Sequence, residues 1–299
     1  GIFFTLLTII ILSIFLFSSV FLSDYLAREA VQKRVATLDD FVFSVEQDLQ
    51  RQIFINSFRT IFALESKIVD EGTYLTNVQN VFQESFFNGT IYGEQNDLTE
   101  ETNYDEIKRA IEERAREKNV NISLSNPVLN VTQKDPWSVS YILTLDFYAY
   151  DLGNLASWNK TLVIETRIPL ETFSDPIYIV GVGTNGVAAN KIVQTPYSDF
   201  VSGNDVSNLL DHVLNSYYVN STSAPSFLKR LEGDFSADVN GIESLVNLQE
   251  LSGGQSKSVV DYIYFSSSNP SNCNVQPSGM PSWFRLDNSH LTDYEVSCA

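Results

Sequence analysis

Three glycines in the sequence GVGTNG have the clearest spacing for chemistry. Gly181, Gly183 and Gly186 follow the G-x-G-x-x-G pattern that lets a backbone approach a dinucleotide pyrophosphate at a helix N-terminus. Such a site needs a crossover helix after the glycines, but Pro196 follows ten residues after the last one. We therefore interpret the glycines as a hairpin turn after a strand IYIV, and we expect no cofactor.

A second pattern matches part of a calcium-binding loop. Asp238, Asn240 and Gly241 have the spacing of the first half of an EF-hand. Ser236 and Asn247 stand where that loop needs an acid and a bidentate glutamate. The sequence therefore predicts no calcium site of this kind.

The two histidines offer little for metal binding or catalysis. His212 and His290 have no metal-ligand spacing to a cysteine or to each other, and the chain has no G-x-S-x-G nucleophile elbow. We expect both histidines to lie on the surface or at an interface. No catalytic, metal or cofactor-binding residue is predicted, and the chain is not expected to be an enzyme.

The chain is strongly acidic, and its charged residues are unevenly distributed along the sequence. The formal net charge is −18, and residues 1–23 contain no ionisable side chain, so the charge belongs to the rest of the chain. An acidic surface repels phosphate backbones. Nucleic acid is therefore not an expected partner.

The two cysteines both lie near the C-terminus. Cys273 and Cys298 enclose a segment rich in Ser, Asn and Pro. In an oxidising compartment a disulfide between them would close a loop of about 25 residues and contribute roughly 3.5 kcal/mol in the chain-entropy model. Two buried free thiols are the alternative.

Five asparagines lie in N-x-S/T sequons, which are acceptor sites for N-linked glycans in a secreted protein. They are Asn88, Asn121, Asn130, Asn159 and Asn220. If the source glycosylates asparagine, we expect occupancy mostly at loops or strand edges, such as Asn88 and Asn220, because an exposed site accepts a bulky glycan without a burial cost.

One long helix must begin the chain, because neither Gly nor Pro occurs between Ile2 and Glu71. Its first part, Ile2 to Leu22, is apolar on all sides and long enough to cross a bilayer core. Beyond Asp24 the apolar residues form a heptad seam: Val31, Val35, Leu38, Val42, Val45 and Leu49, then more loosely Ile53, Ile61 and Ile68. The seam is interpreted as packing on the chain's own globular domain; a helix of another subunit is the alternative.

The remaining chain predicts an α+β fold with an antiparallel sheet. Helices are expected at residues 78–87, 104–118 and 206–217, the last capped by Asn204 or Asp205. YILTLDFYAY and TLVIETRIPL alternate with period two and predict a hairpin beside a strand at 122–131, with further strands at IYIVGV and VVDYIYFS. The expected domains begin with an apolar helix at 1–23 and its amphipathic continuation at 24–71. A globular region follows, which is helical at 72–120, strand-rich at 121–185, and mixed and disulfide-bearing at 186–299.

The opening GIFFTLLTIIILSIFLFSSVFL, which begins at a small residue and continues into the amphipathic half, resembles mature type IV pilin-like proteins. Bacterial pilins typically carry Glu at the fifth mature position, where this chain has Thr5. The resemblance, over about residues 1–55, is therefore to archaeal pilins and archaellins. It implies a short basic leader removed by a peptidase, a membrane-inserted precursor, and assembly with copies of itself into an extracellular filament with a role in adhesion.

The resemblance also implies which residues assemble the filament. They are Ile2, Phe3, Phe4, Thr5, Leu6, Thr8, Ile9, Leu12, Phe15, Leu16 and Ser19. Thr5, Thr8 and Ser19 fall within about 60° on a helical wheel, which favours close helix packing there. The alternative is a permanently anchored, single-pass surface protein. Arg28, Lys33 and Arg34 conflict with an outward-facing domain in either case, because the positive-inside rule alone would keep that side of the span in the cytoplasm; a removed basic leader, with Asp24 and Glu29 nearby, would shift the balance the other way.

Overall fold

The computed structural model describes residues 2–171, 173–182, 190–251 and 256–299. The fold is α+β, as predicted, with a long N-terminal helix and antiparallel sheets. The chain divides into two compact units, which are Gly1–Arg51, Ile107–Val128 and Thr144–Val163, and Gln52–Glu106, Leu129–Leu143 and Ile164–Ala299.

The first element, α1, is one uninterrupted helix over Ile2–Glu71. It ends where the first glycine occurs. Gly72 adopts a left-handed φ of 65° and donates its N–H to the Ile68 carbonyl at 2.8 Å. This is the usual way for glycine to close a helix, since it has no Cβ to clash in that conformation.

The heptad seam of α1 is buried from Leu38 onward. The buried members are Leu38, Val42, Val45 and Leu49 in the first unit and Ile53, Ile61 and Ile68 in the second. These residues pack against the chain itself, which confirms the first interpretation for this part of the seam. Val31 remains 42% exposed and Val35 is only partly covered.

Charged pairs reinforce this packing within the first unit. Lys160 Nζ lies 2.5 Å from the Glu46 carboxylate, and Arg114 pairs with Asp48. Each pair joins α1 to an element beyond it in the chain, and both are partly exposed, so each contributes less than about 1 kcal/mol.

The elements after α1 alternate short helices and strands. The helices are α2 Val78–Asn88, a 3₁₀ turn Glu100–Thr102, α3 Tyr104–Glu117, α4 Pro176–Val182, α5 Ser207–Leu214, α6 Phe227–Glu232 and α7 Asp261–Phe265. The strands are β1 Thr90–Ile91, β2 Glu94–Gln95, β3 Val120–Asp135, β4 Ser138–Asp151, β5 Ser157–Pro169, β6 Tyr218–Asn220, β7 Ile242–Ser244, β8 Asn272–Gln276, β9 Arg285–Asp287 and β10 Ser297–Cys298.

The predicted hairpin is confirmed as part of a three-stranded sheet in the order β3-β4-β5. β4 is central, and alternate residues along it are buried: Tyr141, Leu143, Leu145, Phe147 and Ala149. This is the period-two pattern of a strand with one face in a core. The neighbours β3 and β5 are edge strands.

The segment IYIVGV was predicted to be a strand, and this is wrong, because it forms α4. The chain enters the helix through Asp175-Pro176. The Asp175 carboxylate accepts the Ile177 N–H at 2.9 Å, and Pro176 occupies the first helical position, which its fixed φ suits. This local start overrides the strand propensity of the β-branched residues.

The segment VVDYIYFS is also only partly extended. Val260 forms an isolated antiparallel bridge with Leu245, and the chain then turns into α7. Asp261 is the cause of the turn. Its carboxylate accepts the backbone N–H of Tyr262 at 2.6 Å and that of Ser244 at 3.0 Å, which fixes the residue at the start of a helix.

The helix predicted at 206–217 is shorter than expected and ends at Leu214. Ser216 has a left-handed φ of 46°, which stops it. The expected cap is wrong, because the N-cap is Val206, which makes no side-chain cap bond; Asp205, one residue earlier, accepts the Ser207 N–H through Oδ1 at 2.9 Å.

The C-terminal segment forms a small sheet in the order β10-β8-β9. Cys273 on β8 and Cys298 on β10 are joined, with Cα atoms 5.6 Å apart, so the predicted disulfide is confirmed. The sheet packs on a core that includes Val213, Phe284 and Tyr294.

Candidate functional site: an exposed apolar helix and a polar cleft

The first turns of α1 carry a continuous apolar surface that the folded chain leaves uncovered. All the residues named for assembly are exposed: Ile2, Phe3, Phe4, Thr5, Leu6, Thr8, Ile9, Leu12, Phe15, Leu16 and Ser19. Phe3 is 82% and Phe15 71% exposed. An 18-residue window of this helix has a mean hydropathy of 2.5, which by length and composition alone is sufficient to cross a membrane. Exposed apolar patches of this size need a covering partner or lipid.

The hydroxyl groups of this helix are bonded to its own backbone. Thr5 Oγ1 donates to the Ile2 carbonyl and Thr8 Oγ1 to the Phe4 carbonyl, each at 2.8 Å, and Ser19 Oγ donates to the Leu16 carbonyl at 2.9 Å. Such bonds hide a hydroxyl from an apolar environment. The helix face that carries these residues therefore has small side chains, and their hydroxyl donors are already satisfied within the helix.

The basic residues that follow the apolar helix include one that is fixed by the fold. Arg34 Nη2 donates to the Lys118 carbonyl at 2.7 Å and to Asp151 Oδ1 at 2.8 Å. The bond from Arg34 lowers the pKa of the Asp151 carboxyl. Arg34 thereby joins α1 to the ends of α3 and β4 within the first unit.

A shallow groove of about 570 Å³ lies beside the uncovered start of the seam. Val31 and Val35 line it from α1, and Trp158 lines it from β5. The Trp158 indole donates to the Asp39 carboxylate at 3.3 Å.

The five sequon asparagines are all exposed. Asn121 and Asn130 lie on the edge strand β3, and Asn159 lies on the edge strand β5. Asn88 was expected in a loop or at a strand edge, which is wrong, because it is the last residue of α2; Asn220 ends β6. A glycan is sterically permitted at each position.

The histidines are not on the surface, which corrects the expectation from the sequence: His212 is 0% and His290 2% exposed. Burial lowers the pKa of His212 to about 4, so it is neutral, and its Nδ1 lies 3.1 Å from Thr195 Oγ1. Its ring packs on Phe200, with centroids 4.9 Å apart. The apolar run LLDHVL around His212 was a signal of burial that the sequence analysis did not use, whereas His290 stands in the polar run DNSHLTD, which carries no such signal.

His290 is held between acids. Its Nδ1 lies 2.8 Å from Asp287 Oδ1, and its Nε2 lies 3.0 Å from the Tyr262 hydroxyl and 3.4 Å from Glu243 Oε2. Burial opposes the charge, but hydrogen bonds to Asp287 and Glu243 raise the pKa of His290 to about 10. A histidine that stays protonated and enclosed at neutral pH is unsuited to act as a general base.

A cleft of about 490 Å³ lies next to this cluster in the second unit. The half-buried aromatic residues Trp137 and Tyr197 line it together with hydroxyl-bearing residues of the loop after β6, and Glu243 is a further lining residue. Sequence reasoning missed this cleft. The runs QTPYSDF and NSTS resemble ordinary polar loops, and nothing in their spacing indicates that they meet Trp137.

The structure gives no support to a cofactor site at GVGTNG or to a calcium site at Asp238. Gly183 and Gly186 lie outside the described residues, and Gly181 belongs to α4. Asp238 is engaged by the Asn240 N–H at 3.0 Å and the Ser226 hydroxyl at 3.2 Å. Among the described residues, no three His, Cys, Asp or Glu side chains are placed to hold a metal ion.

Comparisons of the chain with protein-family models, with curated proteins and with solved structures gave no match.

Proposed function

We propose that this chain is a structural subunit of an extracellular, pilus-like helical filament, with a role in adhesion or cell-surface contact. The observation that carries the proposal is the apolar helix Ile2–Leu22, whose residues the folded chain leaves exposed. In a filament, this helix leaves the membrane and packs with copies of itself. The apolar surface then exchanges lipid contacts for helix contacts.

The continuity of α1 supports this arrangement. The helix runs without interruption from Ile2 to Glu71, and its seam is buried by the folded residues from Leu38 onward. The same helix therefore carries both the exposed segment and the domain. In the filament the acidic domain faces solvent and the apolar segment lies at the axis, through repeated head-to-tail contacts that do not close. The proposal assigns no catalytic activity.

A permanently anchored, single-pass surface protein is the second candidate. The bonding of the Thr5, Thr8 and Ser19 hydroxyls within their own helix favours it, because a helix with satisfied hydroxyls is stable in lipid without a protein neighbour. A membrane anchor needs only lipid around its helix. Because lipid adapts to side chains of any size, no face of the helix has to carry small residues.

That difference provides the test. Replacing both Thr5 and Thr8 by Leu preserves membrane insertion but enlarges the small face, and overpacking costs about 1–3 kcal/mol at each site. Filaments should be lost while membrane-bound monomer persists. The matched control is Thr5→Val with Thr8→Val, which keeps the side-chain size and removes only hydroxyls that bond within the helix.

The control variant should still form filaments. If the leucine variant forms filaments as abundantly as the wild type, or if the wild type forms none, the anchored alternative replaces this proposal.

A further inference from the structure

We infer that the cleft between Trp137, Tyr197 and the loop after β6 binds a neutral carbohydrate. The inference gives the proposed role in adhesion a ligand class, and it rests on the proposed function only in that respect. All residues lining the cleft belong to the second unit, and its volume of about 490 Å³ lies within the range of small-ligand sites.

The walls of the cleft combine two kinds of surface that suit a sugar. Trp137 and Tyr197 are each partly exposed and offer aromatic area to the C–H faces of a pyranose ring. The Tyr197 hydroxyl donates to Asp211 Oδ2 at 2.6 Å, which fixes that side chain in place. A rigid aromatic wall loses little conformational entropy when a ligand binds.

Another part of the cleft wall is rich in hydroxyl groups. Ser221, Thr222 and Ser223 line the cleft in succession, and the hydroxyls of Ser221 and Ser223 lie 2.9 Å apart. Hydroxyls both donate and accept hydrogen bonds, as the ligand's hydroxyls do. This wall therefore complements a polyhydroxylated ligand better than an apolar one.

Glu243 lines the cleft as a buried carboxylate. It is 1% exposed, and its Oε1 accepts the Tyr294 hydroxyl at 3.0 Å. Its Oε2 lies 3.4 Å from Nε2 of the protonated His290. Its neighbours therefore hold Glu243 in place, and it puts an acidic side chain at the cleft.

The charges around the cleft select against acidic ligands. Glu243 and Asp293 both line it, and none of its lining residues is Lys, Arg or His. Asp287 lies behind Glu243 in an ion pair with the protonated His290, so these two charges offset each other and the acidic lining residues set the sign. Sialylated or uronic-acid sugars would be repelled, so the ligand is a neutral one.

The ligand has two candidate sources, which are a glycan attached to Asn220 of this chain and a glycan on another surface. Asn220 lines the cleft and is the acceptor of an N-x-T sequon, so a glycan attached there would begin at the rim of the cleft. The occupant is either that glycan or a neutral glycan from another surface. The recognition chemistry is the same in both cases.

The test uses the full chain dispersed in mild detergent, so that its outcome does not depend on filament formation. The wild type and Asn220→Gln are applied to an array of neutral and sialylated oligosaccharides, and the best neutral trisaccharide is then titrated by calorimetry. We expect neutral sugars to bind and sialylated ones not to bind. Binding by both proteins identifies an external glycan, and binding only by Asn220→Gln identifies the chain's own glycan as the normal occupant.

Variants locate the binding in the cleft. Trp137→Ala should weaken the best neutral trisaccharide at least tenfold, whereas Trp158→Ala, the same change in the first unit, should leave its affinity unchanged. If Trp137→Ala does not fold, Ser223→Tyr tests the same point, because Ser223 is exposed and a tyrosine there obstructs the cleft while preserving the sequon.

The inference is overturned if neither the wild type nor Asn220→Gln binds a neutral sugar, or if the folded cleft variants bind as well as the wild type. It is also overturned if cationic oligolysine binds in the cleft in place of sugars. Filament formation by the same preparations is scored separately, so failure of this inference leaves the proposed function standing.

Discussion

Removing the charge of Arg230 should destabilise the second unit more than removing the charge of an exposed arginine. The Arg230 side chain is fully buried, and its Nη1 lies 2.5 Å from Asp175 Oδ2 and 2.9 Å from Asp261 Oδ2. Its Nη2 donates to the Ile242 carbonyl. The guanidinium therefore joins α6, α7, β7 and the start of α4.

The loss of stability in the variant Arg230→Met can be estimated from the two carboxylates that it leaves without a partner. Two buried carboxylates lose their shared cation, and breaking a buried ion pair by removing one partner costs about 3–5 kcal/mol. For a unit of this size, the melting temperature should fall by about 6–20 °C. The control is Arg167→Met, whose partner Glu165 lies 3.4 Å away at an exposed site, and it should cost less than about 1 kcal/mol.

The pH dependence provides an internal check. Burial raises the pKa of Asp261 to about 6 even with Arg230 beside it, and loss of Arg230 would raise it further. Protonation of this carboxyl relieves the unpaired charge, so the penalty in Arg230→Met should be smaller at pH 5 than at pH 8. Thermal unfolding followed by circular dichroism measures both values. The reasoning is refuted if Arg230→Met and Arg167→Met melt at the same temperature, or if the penalty grows as the pH falls.

Two further predictions concern the C-terminal region. The pKa of His290 is raised from 6.5 to about 10 in the folded state, so its contribution to stability is fully present below pH 6.5 and is lost as the pH rises through 10. Urea unfolding of the wild type should show this decline between pH 7 and 10 and His290→Gln should lack it; parallel profiles would contradict the assignment. Cys298→Ala should lower the free energy of unfolding by roughly 3.5 kcal/mol in the chain-entropy model, for a loop with a sequence separation of 25. Two alkylatable thiols in the native wild type under non-reducing conditions would disprove the disulfide.

Elements with a long, regular pattern could be predicted from the sequence. The absence of Gly and Pro between Ile2 and Glu71 was sufficient for α1, and strict alternation over YILTLDFYAY was sufficient for β4. The burial of Leu38 and Leu49 likewise followed from heptad spacing. In these segments local propensity and tertiary packing favour the same structure.

Short elements could not be predicted, because single contacts decide them. α4 and α7 consist of β-branched and aromatic residues that favour strands, yet each begins at an aspartate, Asp175 or Asp261, that accepts backbone N–H groups. Both aspartates are positioned by Arg230, which lies far away in the sequence. No spacing rule connects these three residues.

The cleft was not predictable for the same reason. Trp137, Thr195 and Glu243 come from separate stretches of the chain and meet only after folding. The apolar helix, by contrast, is a local feature that composition alone reveals. Sequence reasoning therefore identified the proposed assembly surface and missed the candidate binding site.

Electron microscopy of the sheared cell-surface fraction tests the central claim most directly. The account predicts an extended homopolymer of this chain, with density for Ile2–Leu22 packed at the axis and the acidic domains outside. If the sheared fraction contains no filament of this chain, and detergent releases the protein only as a monomer, the account is contradicted and the chain is a membrane-anchored surface protein.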